Sequence, residues 1–569
     1  MKIKFIITAT LFAIINLYST IVSAQSSWGD YTLIAKQNQT SATLLDMSKN
    51  IYHTWNFTLG TTYSAYVLPG GSLIRSVQHA GNSFSGGPIS GEVQKVDWSG
   101  NVLWDYVYSS TTYCTHHDIC PMPNGNVLLI SYELKTAAEV DTAGCSFNSI
   151  MWPDKIIEVQ PTGANTGTIV WEWHAWDHLM QNVYPTRRNY VTSISAHPEL
   201  LDVNYKSTKD WLHMNGVDYN ATLDQIAFSS HNLSEVYVID HSTTIAEAAS
   251  HTGGNSGKGG DILYRWGNPA AYSVTSPAAD LNIVHDGHFV PAGCPKAGYL
   301  VGFNNNGQSG TNSYIDMFNP PMTGSNYTAP ASGQAYLPTT YDKRIVCTGH
   351  TSNMGNSQQL PNGNMLICVA LSGLVYEIDT IGNTIWSYTS AGGMGGAIPQ
   401  SFRYTACYIS GTQPSTPTIS QSGDVLTCDS IGTTYQWYLN GVAISGANAA
   451  TYTVTQSGSY QVQIVDGTNC GSALSSATSV TASGIAIVDA NLYWRIYPNP
   501  SAEKIFLQTK ETEVNYTIYN VNGAAILSIK NWNTSMPINI NNLEKGIYMI
   551  QLNSIDNAKH FGSFKFSKI

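Results

Sequence analysis

Charge is scarce in this chain: Asp, Glu, Lys and Arg make up 11% of its 569 residues, and the formal net charge is −11. No cluster of Lys and Arg appears in the sequence. Proteins that bind the phosphate backbone of nucleic acids need such clusters, so we expect no nucleic-acid partner. CxxC pairs are also absent, and zinc sites usually show such tight spacing, so we expect no metal at the cysteines. We expect no cofactor either.

Long apolar runs are missing too, apart from one at the N-terminus. Two lysines precede an apolar run over residues 5–15, and Val22-Ser23-Ala24 is a small-residue cleavage motif. This order predicts a secretory signal peptide over residues 1–24, removed after Ala24. No other segment reaches the length of a membrane-spanning helix, so we expect an exported protein without a transmembrane segment.

Nine cysteines stand in this exported chain, so at least one is unpaired or bonded elsewhere. Disulfides form in oxidising compartments, which makes two pairs worth considering. Cys114 and Cys120 flank a pair of histidines, and a disulfide that staples this loop is the simplest interpretation. Farther along the chain, Cys428 could pair with Cys470.

Gly, Tyr, Trp, Asn, Ser and Thr are abundant, a balance typical of an extracellular all-β protein with many turns. The chain is too long for one domain, and a Pro/Ser/Thr-rich linker near Gly411 ends a large domain of residues 25–410. Residues 411–484 then alternate strand-like segments with Gly turns, and Trp437 stands where a sandwich core needs an aromatic residue. This segment resembles an immunoglobulin-like β-sandwich that serves as a spacer or carbohydrate-contact domain.

The last segment, residues 485–569, carries two short motifs, YPNP from Tyr497 and KGIY from Lys545. Both closely resemble the type A C-terminal sorting domain of the type IX secretion system. The resemblance implies export by that machinery across the outer membrane of a Gram-negative bacterium, to the cell surface or the medium. We expect a second small β-sandwich here, which leaves the main function to residues 25–410.

Two strings alternate through residues 25–410. One is a hairpin whose second strand ends in Trp and an aromatic residue, as in VQKVDWSGNVLWDYVY and VYEIDTIGNTIWSYTS. The other is a strand after a Pro-Gly or Pro-Asn-Gly turn, as in VLPGGSLIRS, MPNGNVLLIS and LPNGNMLICV. Repeats of this kind predict an all-β fold whose large domain is a six-bladed β-propeller. A long β-sandwich is the alternative, but it does not explain the recurrent Trp-ended hairpin.

Histidines recur at one position of this repeat. Counting six residues back from each turn proline or its equivalent gives a set of in-register residues: Tyr63, His117, His213, His285 and Gly355. Equivalent positions of propeller blades converge on the central axis, so these side chains are expected to meet at one mouth of the channel. The simpler alternative is that each histidine only ends a strand and is satisfied by hydrogen bonds.

Further polar residues flank this set. In the string THHDIC, Asp118 is placed to orient an imidazole, and strand alternation puts His116 on the opposite face as a structural residue. One strand later in their blades stand His231 and Asn304-Asn305-Asn306, for which loop capping is the alternative. His350 lies just before the inner strand of the final blade.

Several longer pieces of the large domain resemble one family. They are HHDICPMPNGNVLL, DWLHMNGVDYN with SSHNLSEVYVID, VHDGHFVPAGCPKAGYLVGFNNNG, QQLPNGNMLICVALSGLVYEIDTIGNTIWSYTS and SFRYTACY. Together they cover most of residues 50–410 and are similar to the bacterial arylsulfate sulfotransferases, PAPS-independent six-bladed propellers. The resemblance implies transfer of a sulfuryl group from a phenolic sulfate ester to another phenol through a sulfohistidine. A neutral imidazole is a suitable nucleophile, and a second one can protonate the departing phenolate.

The resemblance also implies roles for individual residues. His213 and His285 match family histidines around the sulfuryl group, and His350 is the candidate for the sulfated nucleophile. The substrate contacts expected beside them are His117, His231, Asn305, Asn306 and Arg403.

One departure from the family pattern leaves other functions open. An arginine commonly follows the Asn-rich segment, but Asn312-Ser313-Tyr314 stands there in this chain. The cation for the sulfuryl oxygens must then come from elsewhere, for instance Arg344 or Arg403, or activity is altered or lost. The alternative function is a non-catalytic propeller that binds glycans or surface ligands with its immunoglobulin-like module. A third hypothesis is a quinone- or metal-dependent propeller enzyme, since three imidazoles can bind a transition metal.

Overall fold

The computed structural model describes residues 27–307, 310–390, 396–412, 414–432, 434–444, 446–465, 470–472, 474–480, 495–509, 511–521, 523–555 and 560–569. The predicted signal peptide, residues 1–24, lies outside these ranges. Within them the chain forms mainly antiparallel β-sheets. No helix in this part of the chain is long and apolar enough to cross a membrane.

Six four-stranded sheets follow one another through the described residues up to 404, and each sheet is one blade of a propeller. The strands of the first three blades, in chain order, are β1 (Tyr31–Ala35), β2 (Ser41–Asp46), β3 (Ile51–Asn56), β4 (Thr61–Val67), β5 (Leu73–Gln78), β6 (Gly91–Val96), β7 (Val102–Val107), β8 (Tyr113–Pro121), β9 (Val127–Glu133), β10 (Asp154–Gly163) and β11 (Thr166–His174). A capped helix, α1 (Ala137–Thr142), lies between β9 and β10.

The remaining blades follow the same plan with longer insertions. Their strands and the small sheets between them are β12 (Leu179–Met180), β13 (Leu201–Asp202), β14 (Met214–Asn220), β15 (Gln225–Ser230), β16 (Glu235–Asp240), β17 (Tyr264–Trp266), β18 (Val284–Phe289), β19 (Leu300–Asn304), β20 (Tyr314–Phe318), β21 (Met322–Thr323), β22 (Asn326–Tyr327), β23 (Lys343–Val346), β24 (Asn356–Gln359), β25 (Met365–Val369), β26 (Leu374–Ile378) and β27 (Thr384–Thr389). Helix α2 (Ile245–Ala248) follows β16, and the 3-10 turns are Ala175–Asp177, Ile194–Ala196, Pro269–Tyr272 and Ala370–Ser372.

The ring is closed by the end of the large domain. Strand β28 (Arg403–Tyr404) pairs with β1, so the first blade takes its innermost strand from the far end of the domain. A hydrophobic core that joins Ile34 and Leu45 of the first blade to Leu366 and Trp386 of the sixth seals the same junction. Five similar cores lie between the other neighbouring blades. The predicted six-bladed β-propeller is confirmed, and the long sandwich is excluded.

The Trp-ended hairpins join neighbouring blades. In five of the six blades, the outermost strand carries a tryptophan whose indole N–H donates a hydrogen bond to the following blade, at 2.9 to 3.1 Å. The donor and acceptor pairs are Trp55 to Asp97 O, Trp104 to Thr166 O, Trp171 to Thr243 Oγ1, Trp266 to Pro338 O, and Trp386 to Met47 O. A buried indole N–H needs an acceptor, and the following blade supplies it. The tryptophan therefore recurs once per blade, in the outermost strand.

Two small β-sandwiches follow the propeller. A short helix, α3 (Ala406–Ser410), leads to the first of them, with strands β29 (Ile419–Ser422), β30 (Val425–Cys428), β31 (Thr434–Leu439), β32 (Val442–Ala443), β33 (Thr451–Thr453), β34 (Gly458–Val465) and β35 (Thr478–Val480). The second has strands β36 (Arg495–Tyr497), β37 (Lys504–Gln508), β38 (Glu513–Asn520), β39 (Ala525–Asn533), β40 (Ile538–Asn539), β41 (Gly546–Asn553) and β42 (His560–Lys568). Each module packs a three-stranded sheet on a four-stranded one, and Trp437 is buried in the first core.

Both predicted cysteine pairings are wrong. Cys407, at the end of the propeller, bonds Cys470 of the first sandwich with a Cα–Cα distance of 5.5 Å, and Cys428 is a buried free thiol. Cys114 and Cys120 are also free and buried. Both lie on β8, where six residues of extended chain span roughly 20 Å, far beyond the reach of a disulfide.

Candidate functional site

A β-bulge interrupts the innermost strand at the same level in four blades. The register shifts fall between Thr61 and Ala65 in β4, Thr115 and Ile119 in β8, Met214 and Gly216 in β14, and His285 and His288 in β18. His117 lies within the β8 bulge with φ of 52°, and His213 lies just before β14 with φ of 51°. A left-handed backbone of this kind redirects the side chain. The bulges therefore turn the in-register residues toward the propeller axis.

Four imidazoles meet in one pocket on the axis. His117, His213, His231 and His285 all line a cavity of about 610 Å³, which we call the histidine pocket. Their ring centroids form a chain: 4.6 Å from His117 to His213, 4.8 Å from His213 to His231, and 5.7 Å from His231 to His285. Residues from three blades, far apart in sequence, are thus within contact distance.

His213 is the imidazole whose orientation is most clearly set. Its Nδ1 lies 2.6 Å from Oδ2 of Asp210, an oxygen that also accepts a hydrogen bond from the Tyr132 hydroxyl at 3.1 Å. Donation of the Nδ1 proton to the carboxylate leaves the Nε2 lone pair free, and no described residue hydrogen-bonds Nε2. A carboxylate that fixes the tautomer in this way makes the other nitrogen available for nucleophilic or base chemistry.

His285 has both ring nitrogens engaged. Nδ1 lies 2.7 Å from Oδ1 of Asn305, and Nε2 accepts the backbone N–H of Met354 at 3.1 Å. The Asn305 amide donates to the carbonyl oxygens of Thr351 and Met354, so its oxygen is the group that faces the ring. Burial, followed by the neighbouring His231, holds the pKa of His285 well below its ordinary value. His285 is therefore a neutral, fixed wall of the pocket.

His231 is held between the pocket and the loop beneath it. Its Nδ1 lies 2.8 Å from Oδ1 of Asn232, whose amide donates to the Asp210 carbonyl at 2.7 Å. Burial, together with the charge of neighbouring His213, lowers the pKa of His231 to about 4. At neutral pH this imidazole carries no charge, and its Nε2 has no hydrogen-bond partner among the described residues.

His117 is the end of a buried line of short contacts. Its Nδ1 lies 2.8 Å from Nδ1 of His116, and His116 Nε2 lies 2.7 Å from Oδ1 of Asp154. Burial lowers the pKa of His116 to about 3, lowers that of His117, and raises that of Asp154 well above its ordinary value. Burial therefore favours the uncharged form of all three groups.

The structure places two neighbours of His117 differently from the expectation. The bulge breaks the alternation, so His116 contacts His117 instead of facing away from it, and stacks on Tyr132 with ring centroids 3.6 Å apart. Asp118 hydrogen-bonds no imidazole in the described part of the chain: its oxygens accept the Tyr66 hydroxyl at 2.8 Å and the Val217 N–H at 3.4 Å. It faces a second cavity on the other side of the bulge.

Three other predicted residues do not line the histidine pocket. His350 is exposed, and its Nε2 lies 3.0 Å from Oδ1 of Asn306; neither residue lines the histidine pocket. Asn305 is buried and acts on the pocket through His285. The structure thus brings His117, His213, His231 and His285 together and leaves His350 apart from them.

Neither candidate arginine reaches the pocket. Arg403 is buried at the ring closure, with its NH1 3.0 Å from Oε2 of Glu377. Arg344 pairs with Asp316 through two contacts of 2.6 Å. Both guanidinium groups are neutralised by carboxylates, and no Lys or Arg of the described residues lines the histidine pocket. Its remaining polar groups are uncharged, namely those of Gln37, Asn38, Thr62, Gln78, Ser85 and Asn353.

Sequence reasoning missed the groups that support the imidazoles. Asp210, Asn232, Tyr132 and Asp154 were not singled out, although each hydrogen-bonds or lies against a pocket histidine or its partner. A signal for the first was present in the string DWLHMN, where an aspartate stands three residues before the in-register histidine. The others come from different strands and could not be found without the fold.

Family profiles match two parts of the chain. Residues 76–389 match the family described as Arylsulfotransferase (ASST), and residues 495–561 match the Secretion system C-terminal sorting domain. The second match indicates export, with the protein secreted or held at the cell surface. No curated protein matches the chain.

Solved structures with similar backbones are remote. A protein of unknown function from Bacteroides caccae is 11% identical over 66% of this chain and 98% of its own, with a TM-score of 0.38. Virginiamycin B lyase from Staphylococcus aureus is 8% identical, covering 71% of this chain and 89% of its own, with a TM-score of 0.32. A streptogramin B lyase is 11% identical, covering 64% and 84%, with a TM-score of 0.29. Scores this low carry no argument, so the propeller assignment rests on the sheets and cores described above.

Proposed function

Because the chain belongs to the arylsulfotransferase family, we propose that it is an exported sulfotransferase that moves a sulfuryl group from an aryl sulfate ester to a phenolic acceptor through a sulfohistidine. The observation that carries this proposal is the meeting of four imidazoles in one pocket, one of them anchored by a carboxylate. The immediate partners are then two small molecules, the aryl sulfate donor and the phenol. The secretion machinery recognises the C-terminal module.

The nucleophile in this proposal is His213 rather than His350. Asp210 holds the Nδ1–H of His213, so the Nε2 lone pair faces the pocket. In the first half-reaction Nε2 bonds to sulfur while the bond from sulfur to the phenolic oxygen breaks, and the phenolate leaves with a proton. In the second half-reaction the acceptor oxygen bonds to sulfur, the nitrogen–sulfur bond breaks, and the acceptor gives up its proton.

The proton of both half-reactions is assigned to His117. Its ring lies 4.6 Å from that of His213, and its Nδ1 lies 2.8 Å from Nδ1 of the buried His116. A general acid or base of this kind contributes about 10²- to 10⁴-fold to rate. His285 positions the pocket wall, since both of its nitrogens are already engaged.

In this proposal, neutral side-chain amides stabilise the negative charge of the sulfuryl oxygens in place of an arginine. The side-chain amides of Gln37, Gln78 and Asn353 line the pocket, and in this proposal their N–H groups donate hydrogen bonds to the sulfuryl oxygens. Because no cation lines the pocket among the described residues, we expect a slower transfer than a site with an arginine would give. Removal of one such donor typically costs about 10²- to 10³-fold in kcat.

Turnover of 4-nitrophenyl sulfate with phenol as acceptor tests the proposal, in the absence of PAPS and of added metal. The protein is expected to release 4-nitrophenol, His213→Ala to abolish the release, and His350→Ala to leave it unchanged. Absence of turnover by correctly folded protein would overturn the proposal.

The alternative function, a non-catalytic propeller that binds glycans or surface ligands, is favoured by one observation: the missing cation at the pocket. It predicts that the protein retains a glycan in a binding assay and shows no release of 4-nitrophenol. Binding that disappears in His213→Ala without any turnover in the parent protein would support this alternative over sulfuryl transfer.

A further inference from the structure

The propeller axis carries a second cavity, on the other side of the bulges. It has a volume of about 650 Å³, and we call it the axial chamber. The inner strands that bring His117 and His285 to the histidine pocket continue past the bulge and bring Asp118 and His288 to this chamber. Neither the family match nor the proposed reaction assigns it a role.

Tightly packed backbone separates the two cavities. A Cβ on Gly216 would lie 2.7 Å from Ser229 Oγ and 3.0 Å from the backbone nitrogen of Asp286. A Cβ on Gly287 would lie 2.9 Å from Ser229 Cβ. The strands thus approach too closely at the bulge level for any larger side chain. A molecule in the chamber therefore occupies a site separate from the histidine pocket.

The first sandwich module forms one wall of the chamber. Asn440, Gly441, Ser459, Gln461 and Ala477 of this module line the cavity together with the propeller. A Cβ on Gly441 would come within 2.7 Å of the Ala297 side chain, so the two surfaces are in direct contact. The disulfide from Cys407 to Cys470 also ties the module to the propeller. The chamber is thus a built, partly covered cavity rather than an open groove.

Most of the chamber wall is apolar and partly aromatic. Tyr66 and Phe402 contact one another with ring centroids 4.8 Å apart, and Phe289, Val217 and Met322 also line the cavity. Ligand cavities of this size are typically apolar with a few polar groups that fix orientation. Aromatic side chains pack well on planar rings. The walls therefore suit a small aromatic ring.

At the polar end of the chamber, the His288 imidazole lies beside several carboxyl groups and has one ring nitrogen without a partner among the described residues. His288 Nδ1 lies 3.2 Å from the Asp286 carboxylate, and no described residue hydrogen-bonds its Nε2. Burial alone would lower the pKa of His288, but the Asp286 carboxylate outweighs it and raises this pKa to about 9. Asp118 and Asp218 also line the cavity, and burial raises the pKa of each. One imidazolium N–H beside three carboxyl groups favours an uncharged oxygen acceptor over an anion.

We propose that the axial chamber is a binding site for a small uncharged phenol, whose ring packs against Phe402 and Tyr66 and whose hydroxyl oxygen accepts the Nε2–H of His288. The hydroxyl proton can be donated to a neighbouring carboxyl oxygen. The site requires no donor sulfate and no turnover. A protein without sulfotransferase activity would bind the phenol equally well.

Ligand-detected fluorine NMR of 4-fluorophenol with the full-length protein tests this site. We expect line broadening with a Kd on the order of 1 mM, since a ligand of this size makes few contacts. Ala292→Trp changes an exposed residue of the chamber lining and should weaken binding at least about tenfold, equivalent to about 1.4 kcal/mol. Phe402→Ala should weaken it in the same direction.

His213→Ala is the matched control, since it changes only the histidine pocket. Broadening that persists in His213→Ala and weakens in Ala292→Trp would support the chamber. Loss of broadening in His213→Ala with full retention in Ala292→Trp would place the phenol in the histidine pocket and overturn the proposal. No broadening in the parent protein, or retention in both variants, would overturn it as well.

Discussion

Asp210 Oδ2 lies 2.6 Å from His213 Nδ1, three residues farther along the chain. The same oxygen accepts the hydroxyl of Tyr132, which comes from another blade. The imidazole is therefore held in one tautomer by a carboxylate that is itself held in place. Burial opposes ionisation of Asp210, but its bond to His213 lowers its pKa below the ordinary value. An ionised carboxylate behind the imidazole is what a histidine nucleophile requires.

Asp210→Asn should remove most of the activity while leaving the fold intact. The amide can keep the ring in place but favours the other tautomer, which points a proton instead of a lone pair into the pocket. A comparable change at a catalytic Asp–His pair lowers kcat by about 10⁴-fold, and we expect a loss of about 10²- to 10⁴-fold here. Steady-state release of 4-nitrophenol measures it. Asp141→Asn, at an exposed carboxylate paired with Arg187, is the control and should retain full activity.

Gly87→Ala should also disable the histidine pocket. A Cβ at Gly87 would lie 2.1 Å from His117 Cε1 and 3.0 Å from His213 Cε1, so the methyl group must displace an imidazole. Gly81 lies in the same loop region and also has a positive φ, 94° against 41° at Gly87, but has nothing within 4 Å of its Cβ position, so Gly81→Ala controls for backbone strain. We expect kcat to fall at least about tenfold in Gly87→Ala only, a barrier change of about 1.4 kcal/mol. Equal losses in both variants would mean that backbone strain, not the imidazoles, is responsible.

Arg403→Met should lower stability and leave chemistry unchanged. The guanidinium is buried against Glu377 at the ring closure and lies outside the histidine pocket. Removal of one partner of a buried ion pair typically costs about 3–5 kcal/mol, because the other charge is left unpaired. Thermal unfolding should show the loss, while kcat per folded molecule stays constant below the transition. A fall in kcat with unchanged thermal stability would instead restore Arg403 as a substrate contact.

Propeller stability should decrease as pH rises through the range set by His288. Its pKa in the folded protein is raised to about 9, so the protonated form is favoured on folding. The stabilisation is complete below the unfolded value of about 6.5 and is lost as pH rises toward 9. The shift corresponds to about 3 kcal/mol. Thermal unfolding measured between about pH 6 and pH 9 should show this decrease in stability. His288→Gln should flatten it, whereas His350→Gln, at an exposed histidine, should not.

The blade plan was predictable because local sequence encodes it. Turn prolines and Trp-ended hairpins recur with the blade, and each tryptophan serves a contact that every blade junction needs, as Trp104 and Trp386 do. The register of His117, His213 and His285 followed from the same turns, and these three rings do line one pocket. The immunoglobulin-like identity of the first sandwich and the domain boundaries stay predictions.

What the sequence did not predict depends on contacts between distant strands. The bulge in β8 reversed the expected direction of His116, because alternation holds only for regular strands. Arg403 was expected to contact the substrate because of its positive charge, but Glu377 neutralises it at the ring closure. The partner of Cys470 lies 63 residues away at the end of the propeller, a pairing that spacing cannot reveal.

The central claim is that His213 becomes sulfated. Rapid acid-free quenching of the protein with 4-nitrophenyl sulfate, in the absence of an acceptor, followed by peptide mapping, tests it most directly. The account predicts that the mass of one sulfuryl group appears on the peptide containing His213 and disappears when phenol is added. A sulfuryl group on His350, or turnover without any histidine adduct, would contradict it.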